Sequence, residues 1–136
     1  MEDDCVFCKI VNGEIPCSKV YEDEKILAFL DISPVNKGHA LVIPKKHFET
    51  LLDVPDDLLG DLMKAVKKVA KAVIKVAETD GFNLMQSNKT TAGQAVPHFH
   101  IHIIPRIDGD GLKHWPQGKY GRGEMEKFAK QISSLV

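Results

Sequence analysis

Three histidines alternate with apolar residues between positions 97 and 105, where the sequence reads PHFHIHIIP. Side chains of a β-strand point alternately to its two faces, so His98, His100 and His102 would share one face and the apolar residues between them the other. A strand whose polar face happens to carry histidine accounts for one such residue. Three histidines on one face indicate a functional site instead, because imidazole is an uncommon side chain that titrates near neutral pH.

This row of imidazoles suits nucleophilic catalysis better than the coordination of one metal ion by all three rings. As ligands of a single metal ion the three fit poorly, because at about 3.3 Å per residue the outer two begin about 13 Å apart, whereas metal bonds of about 2.1 Å need convergent ligands. Two of them could share an ion. A straight row favours a neutral imidazole that attacks phosphorus while a neighbour assists charge or proton transfer. Such an attack needs a fixed tautomer and donors for the phosphate oxygens.

The loop before the histidine row carries groups that bind anions. Residues 90–94 read TTAGQ, where Gly93 lets backbone N–H groups approach an anion closely and Gln94 adds an amide donor. A plain turn is the alternative. Next to three histidines, the loop favours a phosphate ligand.

Two of the three cysteines have the spacing of metal ligands. Cys5 and Cys8 form half of a tetrahedral zinc site by spacing, and His47 with one histidine of the row could complete it. Reduced thiols in an apolar setting are the alternative. A closed site of four ligands would be structural, since catalytic zinc keeps an open position. Cys17 has no partner, and an odd number of cysteines argues against a disulfide framework.

The strands that carry these residues follow from the hydrophobic pattern. Residues 19–32 predict a β-hairpin with its turn at 22–25, and residues 38–44 predict a buried strand with His39 at its entry. Two further strands are predicted at 82–87 and 96–104.

Two helices complete the pattern. An amphipathic helix is predicted over 55–79, with Asp53 as its N-cap and Gly81 just past its end. A shorter last helix is predicted from the helical spacing of Met125, Phe128, Ile132 and Leu135. This order of elements predicts an α+β fold, an antiparallel sheet of about five strands with the long helix packed on one face.

Length and composition are those of an ordinary globular protein. The chain has 136 residues, 43% hydrophobic and 27% charged, with a formal net charge of −1. Neither nucleic acid nor a membrane is an expected partner, because there is no excess of positive charge and no apolar run of membrane-spanning length. The acidic N-terminus lacks the basic residues of a secretory signal, so we expect a cytoplasmic protein.

Several segments together resemble a known family. HFHIHII resembles the signature of the histidine triad (HIT) family, and CVFCKIVNGEIP, AFLDISPVNKGHALVIPKKH and AGQAVPHFHIHIIPR are similar to its Hint branch of nucleoside phosphoramidases and purine nucleotide-binding proteins. The resemblance implies a single HIT domain over 1–136, with residues 105–136 as a C-terminal tail and helix. It also implies a homodimer whose sheet continues across both subunits.

The resemblance implies a role for three of the histidines. His100 would be the nucleophile that becomes transiently nucleotidylated, and water would then release the mononucleotide. His102 would bind the phosphate and assist charge transfer. His39 would support the tautomer of His100 from the adjacent strand.

Nucleotide-binding residues are implied in the same way. Asp31 matches the acidic residue that binds ribose hydroxyls, Gln94 beside Gly93 would donate to the phosphate, and Asn88 lies in the loop that contacts the ribose. The residues that match the apolar wall of the base pocket are Phe7, Ile10, Ile15, Phe29, Leu30 and Ile32. For Phe7, Phe29 and Ile32 an ordinary core role is the alternative.

The sequence departs from the family pattern at two places in this loop. Ala95 stands where Hint proteins often have a serine that contacts the phosphate or leaving group, so we expect weaker phosphoramidase turnover. Ser87, Asn88 and Lys89 stand where the loop often reads Asn-Asn-Gly. In bacterial-type members that keep both cysteines, the zinc ligands match Cys5, Cys8, His47 and His98.

We therefore expect an enzyme, a nucleotide hydrolase or transferase that cleaves purine nucleoside phosphoramidates or related conjugates at the α-phosphate through a nucleotidyl-histidine. It would carry structural zinc and need no cofactor for catalysis. A purine nucleotide-binding scaffold with incidental hydrolysis is the alternative. A metal-dependent hydrolase is a third.

Overall fold

The computed structural model describes residues 2–136 and contains a five-stranded antiparallel sheet. The strands are β1 (Lys19–Glu22), β2 (Ile26–Leu30), β3 (Ala40–Pro44), β4 (Gly81–Met85) and β5 (Ile101–Arg106). They lie in the order β1-β2-β3-β5-β4, so that β1 and β4 form the edges. The helices are α1 (Val6–Val11), α2 (Asp56–Ala77) and α3 (Glu124–Ser133). The predicted fold class is confirmed.

One face of the sheet is covered by α2. The apolar stripe of this helix packs on every second residue of the central strands, with Leu62 and Val66 fully buried and Ile101 and Ile103 on the strand side. Burying each such side chain contributes roughly 1.5–3 kcal/mol. Because the helix takes the apolar face of β5, the histidine side chains point to the other one.

The opposite face is covered by the N-terminal segment. Cys5, Phe7 and Cys8 form a second buried cluster there, together with four strand residues, Leu27, Phe29, Leu41 and Ile43. The sequence pattern did not predict α1, because six residues are too few to show helical periodicity and cysteine is not a usual N-cap. The Cys5 sulfur nevertheless accepts a hydrogen bond from the Cys8 backbone N–H at 3.4 Å.

Both ends of α2 differ from prediction. Asp53 does not cap the helix, whose N-cap is Pro55. The Asp53 carboxylate turns back to accept hydrogen bonds from the backbone N–H and hydroxyl of Thr50 at 2.9 and 2.8 Å, closing a preceding 3₁₀ turn. At the other end Glu78 takes the left-handed conformation with φ of 55°, and Gly81 begins β4 instead.

The edge strand β4 and the C-terminal tail are the most exposed parts of the fold. Phe82, Leu84 and Met85 of β4 are 36–45% exposed, and residues 111–136 are exposed throughout. The predicted last helix is present as α3. Within residues 2–136 no helix combines the length and apolar character needed to cross a membrane.

Candidate active site and metal centre

The histidine row lies on the face of the sheet opposite α2. His98 and His100 directly precede β5 and His102 lies within it, while Phe99 between them belongs to the core under α2. His98 and His100 are buried, and His102 is half-buried. The predicted alternation of faces is therefore present in the structure.

The tautomer of His100 is fixed by the chain itself. Its Nδ1 lies 2.7 Å from the backbone carbonyl oxygen of His98. A carbonyl oxygen only accepts, so Nδ1 carries the proton and Nε2 keeps its lone pair. Burial lowers the pKa of His100, against the opposing effects of that carbonyl and of Asp31. A neutral ring with a bare Nε2 is the form that attacks an electrophile.

His102 has the opposite tautomer because of a relay through His39. The backbone N–H of Val35 donates to His39 Nδ1 at 3.0 Å, so the proton of a neutral His39 lies on Nε2. That proton points to His102 Nδ1, 2.8 Å away, which leaves His102 protonated on Nε2. Burial, reinforced by His100 and His39, lowers the pKa of His102 to about 4. The His39 contact is thus with His102, not with His100 as expected from the sequence.

Asp31 lies beside this relay. One carboxylate oxygen is 3.7 Å from His39 Nε2, and the other accepts from the Ser33 backbone N–H at 2.9 Å. Burial lowers the pKa of His39 in spite of the Asp31 charge, so their contact is not a full ion pair. Asp31, His39 and His102 lie close enough to surround a cation. Both nitrogens of His39 are already engaged, however, so metal coordination there would displace a proton or the Val35 bond.

The loop over residues 88–96 is held by side chains that were predicted to bind nucleotide. Buried Gln94 accepts from the Lys89 backbone N–H and donates to the Glu49 carbonyl, both at 2.7 Å. Asn88 exchanges two hydrogen bonds with Gln86 and accepts a third from the Leu51 backbone. The phosphate contact of Gln94 and the ribose contact of Asn88 stay predictions.

Gly93 serves the same loop with its backbone conformation. Its φ of 88° ends the 3₁₀ turn at Thr90–Ala92, and its N–H donates to the Thr90 carbonyl at 2.9 Å. The backbone N–H groups of Ala95 and Val96 make no hydrogen bond with residues 2–136. The N–H groups of Thr90 and Thr91 likewise make none, so the free donors of this loop lie on both sides of Gly93.

The predicted apolar wall is brought together only in part. Phe7 and Phe29 meet edge to face at 5.6 Å on the histidine side, and Ile10 packs on the same cluster. Leu30 points to the α2 side, because it follows Phe29 by one residue on a strand. Ile32 is 95% exposed. Ile15 is half-buried, outside both core clusters.

The four predicted metal ligands converge. Ligand atoms of Cys5, Cys8, His47 and His98 all lie within 4.8 Å of one another. His98 Nδ1 is 3.3 Å from the Cys5 sulfur and 3.6 Å from that of Cys8, and His47 Nδ1 is 3.4 Å from Cys8. In tetrahedral zinc sites, bonds of about 2.3 Å to sulfur and 2.1 Å to nitrogen place these atoms roughly 3.6 Å apart.

Protonation states at this cluster also suit a metal. His98 Nε2 donates to the Pro44 carbonyl at 2.8 Å, so the Nδ1 lone pair faces the cysteines. Burial lowers the pKa of His98 to about 4, which keeps the ring neutral. Burial and the neighbouring Cys5 raise the pKa of the Cys8 thiol to about 12, an energetic cost that a bound cation would remove. The donor set therefore fits zinc.

Comparison with known proteins agrees with this geometry. The family model described as HIT domain matches residues 12–109. Adenosine 5'-monophosphoramidase hnt1 of Schizosaccharomyces pombe is 42% identical over 135 residues, covering 97% of this chain and 98% of that protein. A HIT family protein from Bacillus subtilis superimposes with a TM-score of 0.89 at 43% identity, covering 98% of this chain and 97% of that one. A zinc-bound histidine triad family protein from Mycobacterium smegmatis gives a TM-score of 0.78 at 33% identity over all of both chains.

Proposed function

Because this chain belongs to the HIT family, we propose that it cleaves purine nucleotide conjugates at the α-phosphate through an intermediate on His100. It is a hydrolase of the HIT type, the class of its phosphoramidase relative from fission yeast. The observation that carries the proposal is the pair of opposite tautomers on neighbouring rings. His100 offers a lone pair and His102 an N–H, with ring centroids 4.9 Å apart.

These tautomers support a two-step displacement. His100 Nε2 forms a bond to phosphorus while the bond from phosphorus to the leaving group breaks. The leaving amine takes a proton from His102 Nε2, and solvent supplies a replacement proton, so that His102 and His39 end the step as neutral rings with their hydrogen bond intact. The nucleotidylated His100 is a cation whose Nδ1–H stays bonded to the His98 carbonyl. Water then attacks phosphorus as the bond from His100 Nε2 to phosphorus breaks, one proton of the water passes to solvent, and the mononucleotide leaves.

The nucleotide would lie along the histidine face. His102 Nε2–H and the free backbone N–H groups of Ala95 and Val96 are the donors for phosphate oxygens. Asp31 keeps a half-buried carboxylate for ribose hydroxyls. Phe7 and Phe29 give the base an apolar edge.

A structural zinc ion would be held by Cys5, Cys8, His47 and His98. The convergence of two thiols and two correctly oriented imidazoles supports this site. Zinc bound there would supply a fixed crosslink between the N-terminal segment and the sheet, and would use all four ligand positions. Thiol ligands must stay reduced to bind metal, which favours the predicted cytoplasmic location.

The second partner would be another copy of the chain. The edge strand β4 leaves backbone groups unpaired beside an apolar groove of about 320 Å³, lined mainly by Met63, Val66, Ala70, Ile74, Phe82 and Leu84. Exposed edge strands of this kind pair with other strands unless they are protected. Pairing of two β4 strands would continue the sheet and cover the groove.

The catalytic proposal is tested by trapping the intermediate. Full-length, zinc-loaded protein is mixed with adenosine 5'-phosphoramidate, quenched within milliseconds and weighed intact for a covalent AMP adduct. We expect the adduct on wild-type protein and its loss in His100→Ala, which should still bind AMP. His114→Ala, which removes an exposed tail histidine, is the matched control and should keep the adduct.

Two other outcomes would contradict the proposal. An adduct that persists in His100→Ala would place the nucleophile elsewhere. AMP binding by wild-type protein without adduct or turnover would favour the nucleotide-binding scaffold, the reading supported by the missing hydroxyl at Ala95.

A further inference from the structure

We propose that Phe7, with the metal-binding segment that carries it, positions the nucleophile His100 for attack, a role beyond structural support and beyond a base-pocket wall. The proposal rests on the function proposed above for what His100 does. The proposal states that the residues of the metal centre contact the nucleophile directly and hold it in one orientation. The connection has two parts, a backbone carbonyl and an aromatic ring.

The first part is the carbonyl of His98. The ring of His98 is anchored at both nitrogens, by the Pro44 carbonyl at 2.8 Å and by the cysteine sulfurs at 3.3 and 3.6 Å. The residue has no exposed surface. Because the same residue supplies the carbonyl that orients His100 Nδ1, fixing the His98 ring fixes the acceptor that selects the tautomer of the nucleophile.

The second part is the ring of Phe7. It lies edge-on to His100 at 5.1 Å with an interplanar angle of 88°, and to His98 at 5.8 Å. At this distance the two rings are in contact, so the Phe7 ring hinders rotation of the His100 ring. Phe7 itself is only 7% exposed.

Phe7 is held in turn by the ligand cysteines. It lies on α1, between the N-cap Cys5 and Cys8, and a helix of six residues is unstable in water by itself. The position of the ring consequently depends on the contacts of Cys5 and Cys8 with His98 and His47 as well as on the apolar cluster around it. Loss of the metal would release Phe7 and the His98 carbonyl together.

A positioning role and a base-wall role differ in what they change. A wall residue contributes to nucleotide affinity, so its loss raises the dissociation constant of AMP. A positioning residue changes the rate constant of adduct formation at saturating substrate and leaves AMP affinity unchanged. Misplacement of a reacting group by about 1 Å costs on the order of a hundredfold in rate.

The test compares Phe7→Leu with Leu27→Ala in full-length, zinc-loaded protein. Leu27 belongs to the same buried cluster but has no aromatic ring, so its variant loses apolar packing there and keeps the edge-on contacts of Phe7 with the histidines. In Phe7→Leu, where leucine keeps an apolar side chain beside the base, we expect adduct formation at saturating substrate to slow by about tenfold to a hundredfold, and AMP affinity to change far less. Leu27→Ala should keep the wild-type rate constant. A higher AMP dissociation constant at an unchanged rate constant would overturn the proposal in favour of a base wall.

Nitrogen chemical shifts of the His100 ring give a second readout that needs no turnover. We expect the single Nδ1–H tautomer in wild type and Leu27→Ala, and a mixture of tautomers in Phe7→Leu. Cys8→Ser, which removes a metal ligand, should give the same mixture once circular dichroism shows that it is folded. An unchanged tautomer in Phe7→Leu or in metal-free Cys8→Ser would refute the connection. A wild-type protein with this tautomer dependence but no adduct would refute the proposed hydrolysis alone.

Discussion

Replacing Lys89 by glycine should stabilise the protein, although it removes an ion pair. Lys89 has φ of 70° and ψ of 159°, a backbone conformation that is essentially confined to glycine. The loop imposes it, since the Lys89 N–H donates to the Gln94 side chain and the Lys89 carbonyl accepts from Ala92 and Gln94. Similar Hint loops often have glycine here. The lysine side chain pairs with Glu49 at 2.9 Å on the surface.

The expected magnitude follows from three opposing terms. The strained backbone costs about 1–3 kcal/mol, which glycine relieves. Glycine also adds conformational freedom to the unfolded chain, which costs about 0.4–1 kcal/mol. Loss of the exposed pair with Glu49 costs about 0.2–1 kcal/mol. From the middle of each range, Lys89→Gly should raise the free energy of unfolding by about 0.7 kcal/mol, with outer limits of about −1 and about +2.4 kcal/mol.

Urea unfolding of zinc-loaded protein at fixed pH measures this difference, and Lys89→Ala is the matched control. Alanine loses the same ion pair but keeps the strain, so it should be less stable than wild type by about 0.2–1 kcal/mol. The dependence on urea concentration should not change. A glycine variant no more stable than the alanine variant would show that the loop does not impose strain at this residue.

The remaining predictions concern the relay, the proton balance, the metal and the second copy. His39→Leu should slow cleavage of an adenosine phosphoramidate by about a hundredfold or more. It should slow cleavage of an AMP ester with an acidic phenol leaving group far less, because only the amine needs a proton to leave. Equal reductions of the two rate constants in a stopped-flow comparison would exclude the relay. The pKa of His102 is lowered to about 4 in the folded protein from 6.5 in the unfolded chain, so between these pH values the unfolded state binds more protons. The free energy of unfolding should therefore fall by up to roughly 3 kcal/mol as the pH falls from about 6.5 to about 4. Urea titrations at several pH values measure this slope, which His102→Asn should flatten. A chelator should remove about one zinc per chain from wild-type protein, measured by metal analysis, and should lower its melting temperature in calorimetry. The melting temperature of Cys8→Ser should not change, so an equal decrease in both proteins would argue against the site. Leu84→Lys on the edge strand should give monomers by light scattering, whereas Leu52→Lys at a 92% exposed position should leave the dimer intact; dimers in both would place the interface elsewhere.

Several features of this protein follow from the sequence because they repeat along the chain. Alternation of histidine with apolar residues predicts which side of the strand each occupies, and the structure has Phe99 and Ile101 under α2 and His100 on the other face. The period of the apolar residues in 55–79 predicts α2, observed at Asp56–Ala77. The spacing of Cys5 and Cys8 predicts half of a metal site, because local spacing limits which ligands can converge.

Contacts between distant segments are decided only by the tertiary structure. A sequence period states which face a side chain occupies but not which atom it meets there, so it could not reveal that Gln94 turns inward to Glu49. The same holds for the tautomers of the triad. Whether a ring nitrogen carries a proton depends on the group opposite it, and here those groups are the backbone N–H of Val35, the ring of His39 and the carbonyl of His98. The residue types that can attack phosphorus are written in the sequence, but the nitrogen that is free to do so is set by hydrogen bonds that exist only once the chain has folded.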